Sequence, residues 1–184
     1  MNKKNIVIFI SGNGSNMERI ISESKCGVLK DVCNILFVIS NNKDSLGLKK
    51  AELLDIKTFI ANSEDEIIDI LKNYNVDYLI LAGFMKILSP FFVNLYKNKI
   101  INIHPADTNE YKGKNGYKWA FENNKKTTKI TVHYVDKGID TGKIIKQQEI
   151  DISNCTTLDE LIYFGLTQEH DFYSNVLSEI FQQN

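Results

Sequence analysis

The 184-residue sequence contains few cysteines, and their number and spacing argue against two kinds of structural crosslink. The three cysteines are Cys26, Cys33 and Cys155, and they form neither a Cys-x-x-Cys pair nor a His/Cys ligand spacing. An odd number of widely spaced cysteines indicates neither a disulfide framework nor a structural zinc site. Such residues are typical of ordinary thiols in a reducing compartment. We therefore expect a cytoplasmic protein without a bound metal.

The sequence also lacks an excess of charge and a long apolar run. Its formal net charge is −1, so there is no global basic field of the kind that binds nucleic acid or an anionic membrane. The first apolar run ends at Ser11, is too short to span a membrane and has no small-residue cleavage site. We expect small-molecule partners, with no nucleic acid and no membrane. Nothing in the sequence indicates an oligomeric state.

Complete nucleotide-binding signatures are absent, although a glycine-containing turn is present. Asn5–Ile10 predicts a buried strand, Met17–Ser24 predicts a helix, and between them lies Ser11-Gly12-Asn13-Gly14-Ser15-Asn16. This loop matches neither Gly-Lys-Ser/Thr nor a full Gly-x-Gly-x-x-Gly, which argues against ATP and NAD. Glycines and the free N–H groups at a helix start nevertheless suit a phosphate, and Ser15 or Asn16 is a suitable helix cap. A plain strand-to-helix turn explains the pattern equally well.

Alternating strand and helix patterns predict a single doubly wound α/β domain over residues 1–184. Such alternation is typical of a mostly parallel sheet with helices on both faces. The further strands predicted for this parallel part are Cys33–Ser40, Ile56–Ile60, Val76–Ala82 and Ile100–His104. Two later strands, Lys129–Val135 and Lys143–Ile150, are joined by a glycine-bearing loop, which predicts an antiparallel hairpin.

Helix patterns and capping residues fill the segments between the predicted strands. The predicted helices are Leu46–Leu54, Glu64–Asn73, Gly116–Asn123 and, as the closing element, Thr156–Phe181. Ser63 with Glu66 predicts a capping box. Ser89 before Pro90 predicts another helix start, because proline is well suited to the first helical position.

Two polar side chains alternate at the end of the fifth predicted strand. Asn102 and His104 share a strand face, and Pro105 then cannot extend the hydrogen-bond ladder. An amide N–H suits a developing oxyanion, and an imidazole exchanges a proton near neutral pH. Open α/β sheets place their ligands at this carboxyl edge. A histidine satisfied structurally at a strand end is an equally good explanation on this evidence alone.

Asp140, in the loop of the predicted hairpin, is the carboxylate best placed to complete this pair. An aspartate in such a loop is ordinarily a turn former. If the hairpin folds back over the fifth strand, Asp140 pairs with His104 and raises its pKa. No serine or cysteine nucleophile is evident nearby, which favours direct acyl transfer between two bound substrates. His133 and His170 have no comparable partners, and we interpret both as structural.

An apolar segment, Ala82–Pro90, lies between the fourth and fifth predicted strands. Phe84, Met85, Ile87 and Leu88 within it suit a slot for a flat ring. Packing in the core beneath the next helix is the alternative, and it is the more common role of such residues.

Four motifs together resemble the glycinamide ribonucleotide formyltransferase family. They are SGNGSN, LAGFMKILSP, NIHP and DKGIDTG, in this order, within a similarity that extends from Ile6 to about Tyr173. The resemblance implies a Rossmann-like formyltransferase fold. It also implies transfer of a formyl group from 10-formyltetrahydrofolate, used as a co-substrate, to the amine of glycinamide ribonucleotide in purine synthesis.

The resemblance further implies a role for each matching residue. His104 would be the proton donor and an oxyanion stabiliser, Asn102 the second donor, and Asp140 the group that raises the histidine pKa. Substrate binding would fall to Gly14, Ser15, Asn16 and Glu169. The folate would contact Met85, Lys86, Ile87, Leu88 and Asn102, with the loop Val135–Asp140 as the other wall of its pocket.

Departures from the family pattern affect the substrate more than the reaction. Ala106–Asn115 differs from the family, Leu166 replaces a nucleotide-binding glutamine, and a folate-facing arginine has no counterpart around Ser63–Glu66. The alternatives are a formyltransferase acting on a nucleotide-linked amino sugar or on methionyl-tRNA, a formyltetrahydrofolate hydrolase, and a non-catalytic nucleotide-binding module. A tRNA enzyme would need a basic surface and a further domain. The hydrolase family has His-His where this chain has His104-Pro105.

Overall fold

A seven-stranded sheet forms the centre of the computed structural model, which describes residues 2–183. Its strands are β1 Lys4–Ile10, β2 Cys33–Ser40, β3 Thr58–Ile60, β4 Tyr78–Leu81, β5 Ile100–His104, β6 Thr127–Tyr134 and β7 Ile144–Asp151. The helices are α1 Ser15–Cys26, α2 Leu46–Leu53, α3 Glu64–Leu71, α4 Pro90–Leu95, α5 Gly116–Glu122 and α6 Leu158–Gln183. Met1 and Asn184, the ends of the predicted domain, lie outside the described residues.

The strand order is β3-β2-β1-β4-β5-β6-β7. The ladders from β3 through β5 are parallel, whereas β6 pairs antiparallel with both β5 and β7. The predicted doubly wound, mostly parallel sheet with an antiparallel hairpin is therefore confirmed. The chain reverses its direction of winding between β1 and β4, and a crevice forms at the carboxyl ends of strands at such a point.

Both faces of the sheet are covered by helices, which explains the uninterrupted apolar sequence of β1. Ile6, Ile8 and Ile10 belong to the core beneath α1, α5 and α6. Val7 and Phe9 point to the opposite face and belong to the core beneath α3 and α4. Successive strand residues alternate between faces, so a strand buried on both sides needs apolar residues throughout.

Two predicted strands begin later than their apolar residues suggested. The third begins at Thr58 rather than Ile56, and the fourth at Tyr78 rather than Val76. Ile56 and Val76 pack against the cores without joining the ladder. An apolar pattern indicates which side chains are buried, not which backbone groups are paired. In both strands, partly buried apolar side chains continue beyond the paired residues.

Two of the three predicted helix caps are confirmed. Ser63 Oγ accepts a hydrogen bond from the Glu66 N–H at 3.2 Å, and Ser89 Oγ accepts one from the Phe92 N–H at 3.1 Å. The predicted cap of the first helix is wrong, because α1 already begins at Ser15 and its N-cap is a glycine. Within residues 2–183, no helix combines the length and the apolar character needed to cross a membrane.

Candidate active site

The carboxyl ends of the central strands open into one cavity of about 580 Å³. Its walls come from the loop after β1, the segment after β4, the end of β5 with the loop that follows it, the β6–β7 loop and one face of α6. Parallel strands end at the same edge of a sheet, so residues distant in sequence meet here. Every predicted site residue lines this cavity: Gly14, Ser15, Asn16, Met85, Lys86, Ile87, Leu88, Asn102, His104, Asp140 and Glu169.

Asn102, His104 and Asp140 meet in one part of the cavity, which we call the catalytic end after the role predicted for these residues. His104 Nδ1 lies 3.4 Å from Asp140 Oδ2, and Asn102 Nδ2 lies 3.4 Å from Asp140 Oδ1. Asp140 reaches them because the β6–β7 loop folds back over β5. Its backbone takes a left-handed φ of 50° there, a conformation in which aspartate is enriched. The three residues predicted to act together are thus brought together.

His133 belongs to the same cluster, so the expectation that it has no partners comparable to those of His104 is wrong. It stands opposite Asn102 in the β5–β6 ladder, and its Nε2 lies 3.2 Å from Asn102 Nδ2 and 3.5 Å from Asp140 Oδ1. Its Nδ1 lies 2.9 Å from the Tyr134 carbonyl oxygen. A carbonyl can only accept, so Nδ1 carries a proton; Nε2 can then accept from Asn102 when the ring is neutral and donate to Asp140 when the ring is protonated. Finding this histidine requires the β5–β6 register, which sequence periodicity does not specify.

The loop 106–115 closes over the catalytic end and bonds to both of its predicted ionisable groups. The Tyr111 carbonyl oxygen lies 3.2 Å from His104 Nε2, and the Gly113 N–H donates to Asp140 Oδ2 at 2.8 Å. The ring of Tyr111 stacks on Trp119 of α5, with centroids 5.0 Å apart. Because the carbonyl can only accept, Nε2 of His104 carries a proton and Nδ1 faces the carboxylate.

Burial has the largest effect on the pKa of both His104 and Asp140. Burial lowers the pKa of His104, and the opposing effects of Asp140 and the Tyr111 carbonyl do not reverse this. Burial acts to raise the pKa of Asp140, but His133, His104 and a backbone N–H together hold it below its ordinary value. The contribution of Asp140 has the predicted direction, since it acts to raise the pKa of His104, but the effect of burial is larger. Asp140 is therefore the fixed negative charge of the cluster.

Asp107 anchors the loop 106–115 to the hairpin behind the catalytic end. Its carboxylate accepts hydrogen bonds from Lys129 Nζ at 2.7 Å, from Gln147 Nε2 at 3.1 Å and from the Asn109 N–H at 3.0 Å. Burial acts to raise the pKa of Asp107, but these donors lower it to about 2. The anchor is consequently ionised, and fully bonded, at neutral pH.

The loop Ser11–Asn16 lines another part of the cavity, which we call the glycine-loop end. The start of α2 fixes the shape of this loop. The Gly12 carbonyl accepts hydrogen bonds from Ser45 Oγ at 2.6 Å and from the Gly47 N–H at 3.0 Å. Backbone contacts of this kind hold the loop open without the help of charged side chains.

Gly14 is required by both conformation and space. Its φ is 71°, and a Cβ atom there would lie 2.8 Å from Met17 Cε and 3.0 Å from Gly47 Cα. Helix α1 begins at the next residue, Ser15, and no side chain of the described residues caps it. The N–H groups of its first turn therefore lack helical acceptors, as at the anion-binding ends of other helices.

Glu169 enters the glycine-loop end from α6, although it is only 4% exposed. Its Oε2 accepts from Asn16 Nδ2 at 2.7 Å, and its Oε1 accepts from the Tyr117 hydroxyl at 2.7 Å. One helical turn later, the Tyr173 hydroxyl lies 3.1 Å from one carbonyl oxygen each of β4 and β5, which fixes the depth of α6. Tyr117 was not predicted as a site residue, because its sequence neighbours carry no signal of a contact with α6.

Apolar side chains form a further part of the cavity wall, which we call the apolar wall. Met85 and Ile87 are 56% and 70% exposed, and Ile139 of the β6–β7 loop is 51% exposed. Lys86 donates to a backbone carbonyl at 2.5 Å, and Leu88 is buried beneath the wall. Exposed apolar side chains in a cavity suit an apolar or aromatic ligand group, as the sequence predicted for a flat ring.

The described residues contain no metal-binding cluster, and their cysteines lie outside the cavity. Within residues 2–183, no group of three or more His, Cys, Asp or Glu side chains is arranged to hold a metal ion. The cysteines are free thiols, and none of them lines the cavity. Burial raises the pKa of Cys33 to about 12, so its thiol stays protonated at neutral pH.

Comparison with known proteins agrees with this geometry. The Formyl transferase family model matches residues 4–177. The chain is 36% identical over 183 residues to phosphoribosylglycinamide formyltransferase of Escherichia coli (strain K12), a match that covers 95% of this chain and 85% of that protein. It is 37% identical to the Trifunctional purine biosynthetic protein adenosine-3 of Chironomus tentans, of which it spans only 13%.

Solved structures give the same relationship. The crystal structure of phosphoribosylglycinamide formyltransferase from Anaplasma phagocytophilum matches with a TM-score of 0.93 and 33% identity, covering 99% of this chain and 88% of that one. The Streptococcus pneumoniae TIGR4 protein of the same name matches with a TM-score of 0.88 and 30% identity, covering 97% and 99%. The chain therefore belongs to the formyl transferase family and, within it, groups with the phosphoribosylglycinamide formyltransferases.

Proposed function

We propose that this chain transfers a formyl group from 10-formyltetrahydrofolate to the amine of glycinamide ribonucleotide. The observation that carries the proposal is the meeting of Asn102, His104 and Asp140 at one end of a cavity. That cavity also contains a glycine loop suited to a phosphate and an apolar wall suited to a ring. Two substrates that react directly with each other need such an arrangement.

The reaction needs stabilisation of an oxyanion and movement of one proton. The amine nitrogen forms a bond to the formyl carbon, and the formyl oxygen becomes negatively charged. The bond between that carbon and the folate nitrogen then breaks, while a proton passes from the amine to the folate nitrogen. N–H groups of Asn102 and His104 are the donors available to the oxyanion. Asp140 favours the protonated form of His104, which shifts the balance towards proton donation.

Both donors already have partners within the protein. Asn102 Nδ2 lies 3.2 Å from His133 Nε2 and 3.4 Å from Asp140, and His104 Nε2 lies 3.2 Å from the Tyr111 carbonyl. Stabilising the oxyanion requires one or more of these contacts to be exchanged for it. These are long contacts compared with the usual distance of about 2.9–3.0 Å, so little energy is lost in the exchange.

The substrates are assigned to the two other parts of the cavity. The glycine loop, with the N–H groups that begin α1 and the Ser15 hydroxyl, suits the phosphate of glycinamide ribonucleotide. Glu169 suits hydrogen-bond donors of the same substrate. Met85, Ile87 and Ile139 suit the folate ring, with Lys86 and Leu88 in the same segment. Leu166 also lines the cavity but brings no hydrogen-bonding group.

An assay with defined acceptors tests the proposal. Purified protein is supplied with 10-formyltetrahydrofolate and glycinamide ribonucleotide, and the products are identified by mass spectrometry. We expect formylated glycinamide ribonucleotide and an equal amount of tetrahydrofolate. Tetrahydrofolate formed without an amine would indicate a hydrolase, and formylation only of a nucleotide-linked amino sugar would assign another acceptor. Binding of both substrates without turnover would indicate a non-catalytic module.

A further inference from the structure

Tyr117 and Glu169 make a buried hydrogen bond that the proposed chemistry does not use. Tyr117 lies on α5 and is 6% exposed, and Glu169 lies on α6 and is 4% exposed. The Tyr117 hydroxyl donates to Glu169 Oε1 at 2.7 Å. Burying a carboxylate is costly unless its oxygens are hydrogen-bonded. The Tyr117 hydroxyl therefore supplies a hydrogen bond to one of the two oxygens of the buried Glu169 carboxylate.

Helix α6 has a glycine at the position where the Tyr117 ring packs. A Cβ atom at Gly165 would lie 2.2 Å from Tyr117 Cζ and 2.6 Å from its hydroxyl oxygen. Glycine is unfavourable inside a helix, and Gly165 lies one helical turn before Glu169. The ring thus occupies the space that a side chain of the helix would take. In this position its hydroxyl is directed at the carboxylate one turn away.

Asn16 holds the second carboxylate oxygen and keeps an unused acceptor at the cavity wall. Its Nδ2 donates to Glu169 Oε2 at 2.7 Å. Asn16 is 7% exposed, and its Oδ1 is buried without a hydrogen-bond partner among the described residues. Unpartnered buried oxygens are rare in proteins, and Asn16 and Glu169 both line the cavity. The pair is therefore suited to a ligand group that brings hydrogen-bond donors.

We propose that Tyr117, seated over Gly165, is a positioning residue that orients Glu169 towards the substrate that receives the formyl group. The groups recognised are hydroxyl or amine donors of that substrate, bound by Glu169 together with Asn16. This inference rests on the proposed function and deepens it, because it names the residue that orients the substrate-binding carboxylate. A phenol that donates to a carboxylate stabilises the ionised form, which accepts hydrogen bonds more strongly than the acid.

The environment of Glu169 supports this role. Burial raises the pKa of Glu169, and the hydrogen bonds from Tyr117 on α5 and Asn16 on α1 oppose the rise. The cationic side chains nearest in sequence to Tyr117 that line the same cavity are Lys114 and Lys118. Losing the phenol donor removes one of the two opposing bonds, so the protonated form of Glu169 gains at a given pH.

Tyr117→Phe tests the hydroxyl while the ring stays over Gly165. We expect the KM for glycinamide ribonucleotide to rise about tenfold or more, since a hydrogen bond to a charged group is lost. The acidic limb of kcat/KM for that substrate should move about one pH unit higher, while the KM for 10-formyltetrahydrofolate stays the same. Tyr163→Phe is the matched control on α6, where the side chain is exposed, and it should retain wild-type constants. An unchanged KM and pH profile in Tyr117→Phe would overturn the inference.

Gly165→Ala tests whether the glycine provides the space that the Tyr117 ring occupies. In the wild-type background the new methyl group meets the ring, so the KM for glycinamide ribonucleotide should rise as in Tyr117→Phe, although alanine favours a helix. In a Tyr117→Ala background the ring is absent, and adding Gly165→Ala should neither raise that KM further nor lower the melting temperature. Equal effects of Gly165→Ala in the two backgrounds would show that the glycine does not serve the ring.

A titration without substrate separates this inference from the proposed function. In protein with isotope-labelled glutamate, the carboxyl resonance of Glu169 is identified by its loss in Glu169→Gln. We expect its titration midpoint to lie about one pH unit higher in Tyr117→Phe than in the wild type. If the wild type does not formylate glycinamide ribonucleotide but the midpoint shifts, the proposed function fails, while the effect of the Tyr117 hydroxyl on Glu169 stands. If the wild type is active but neither midpoint nor KM shifts, the positioning role fails.

Discussion

The catalytic end and the glycine-loop end of the cavity are built in different ways. At the catalytic end, Asp140 lies 3.4 Å from the ring of His104 and 3.5 Å from that of His133. At the glycine-loop end, the carboxylate of Glu169 is bonded to two neutral donors, Asn16 and Tyr117. One end is organised by interacting ionisable groups, and the other by backbone shape and neutral hydrogen bonds.

The difference determines how each end responds to substitution. Ionisable groups in contact titrate as a unit, so changing one alters the protonation of its neighbours and the effects do not add. A loop held by backbone hydrogen bonds changes locally, and its defects should appear as weaker binding of one substrate. Kinetic constants distinguish the two cases, because loss of chemistry lowers kcat and loss of uniform binding raises KM.

Removing either ionisable partner at the catalytic end should have the largest effect. His104→Ala loses the proton-transfer group and a donor, and Asp140→Asn loses the charge that supports the imidazolium. We expect kcat to fall by roughly a hundredfold to ten-thousandfold in each variant, measured under saturating substrates. Asp171→Asn is the matched control, since its side chain is 68% exposed on α6, and it should keep the wild-type kcat. Wild-type turnover in His104→Ala would rule out the proposed mechanism.

The electrostatic coupling between Asp140 and His104 is checked in Asp140→Asn. Because Asp140 acts to raise the pKa of His104, Asp140→Asn should lower that pKa further, as followed by NMR of the imidazole. The melting temperatures should stay close to the wild-type value, which would show that the fold is retained. An unchanged histidine pKa would contradict the description of this end as a coupled cluster.

Ser15→Leu should have a smaller effect, confined to the glycine-loop end. The substitution removes a hydroxyl and places a bulky side chain at the start of α1, where the phosphate is expected to bind. We expect the KM for glycinamide ribonucleotide to rise by about tenfold to a hundredfold, as for loss of a hydrogen bond to a charged group, with kcat little changed. Ser22→Leu changes an exposed serine of the same helix and should leave both constants unaltered. A Ser15→Leu variant with the wild-type KM would remove the phosphate-site assignment.

Asp107→Asn should have the smallest effect on activity, since Asp107 lies behind the catalytic end, and should act mainly on stability. Its pKa of about 2 lies below the ordinary value of 3.8, so its contribution is complete above about pH 4 and is lost as the pH falls towards 2. Near pH 7 the variant should be less stable by about 2 kcal/mol. Urea unfolding at several pH values measures this, and the wild type should lose its advantage between pH 4 and 2. Parallel acid profiles for the two proteins would contradict the anchor.

The sequence was sufficient where a local pattern determines the outcome. Alternation placed Asn102 and His104 on one strand, and the capping residues Ser63 and Ser89 were identified because a cap acts within one helical turn. His133 was missed because its partner lies on another strand, in a register that periodicity leaves open. The Tyr117 contact joins two helices in space, so neither helix shows it alone. The lowering of the His104 pKa by burial could not be predicted, because burial depends on the whole fold.

Helix α6 brings Glu169 to the site from the far end of the chain. Every residue of the catalytic end lies at or before Asp140, whereas Glu169 meets Asn16 across 153 positions of the chain. Closing so long a stretch of chain costs conformational entropy, so the contact depends on the packing that holds α6 in place. In a partial unfolding that releases α6, the glycine-loop end loses the carboxylate of Glu169. Local opening of α6 would thus affect substrate binding without displacing the residues proposed for the chemistry.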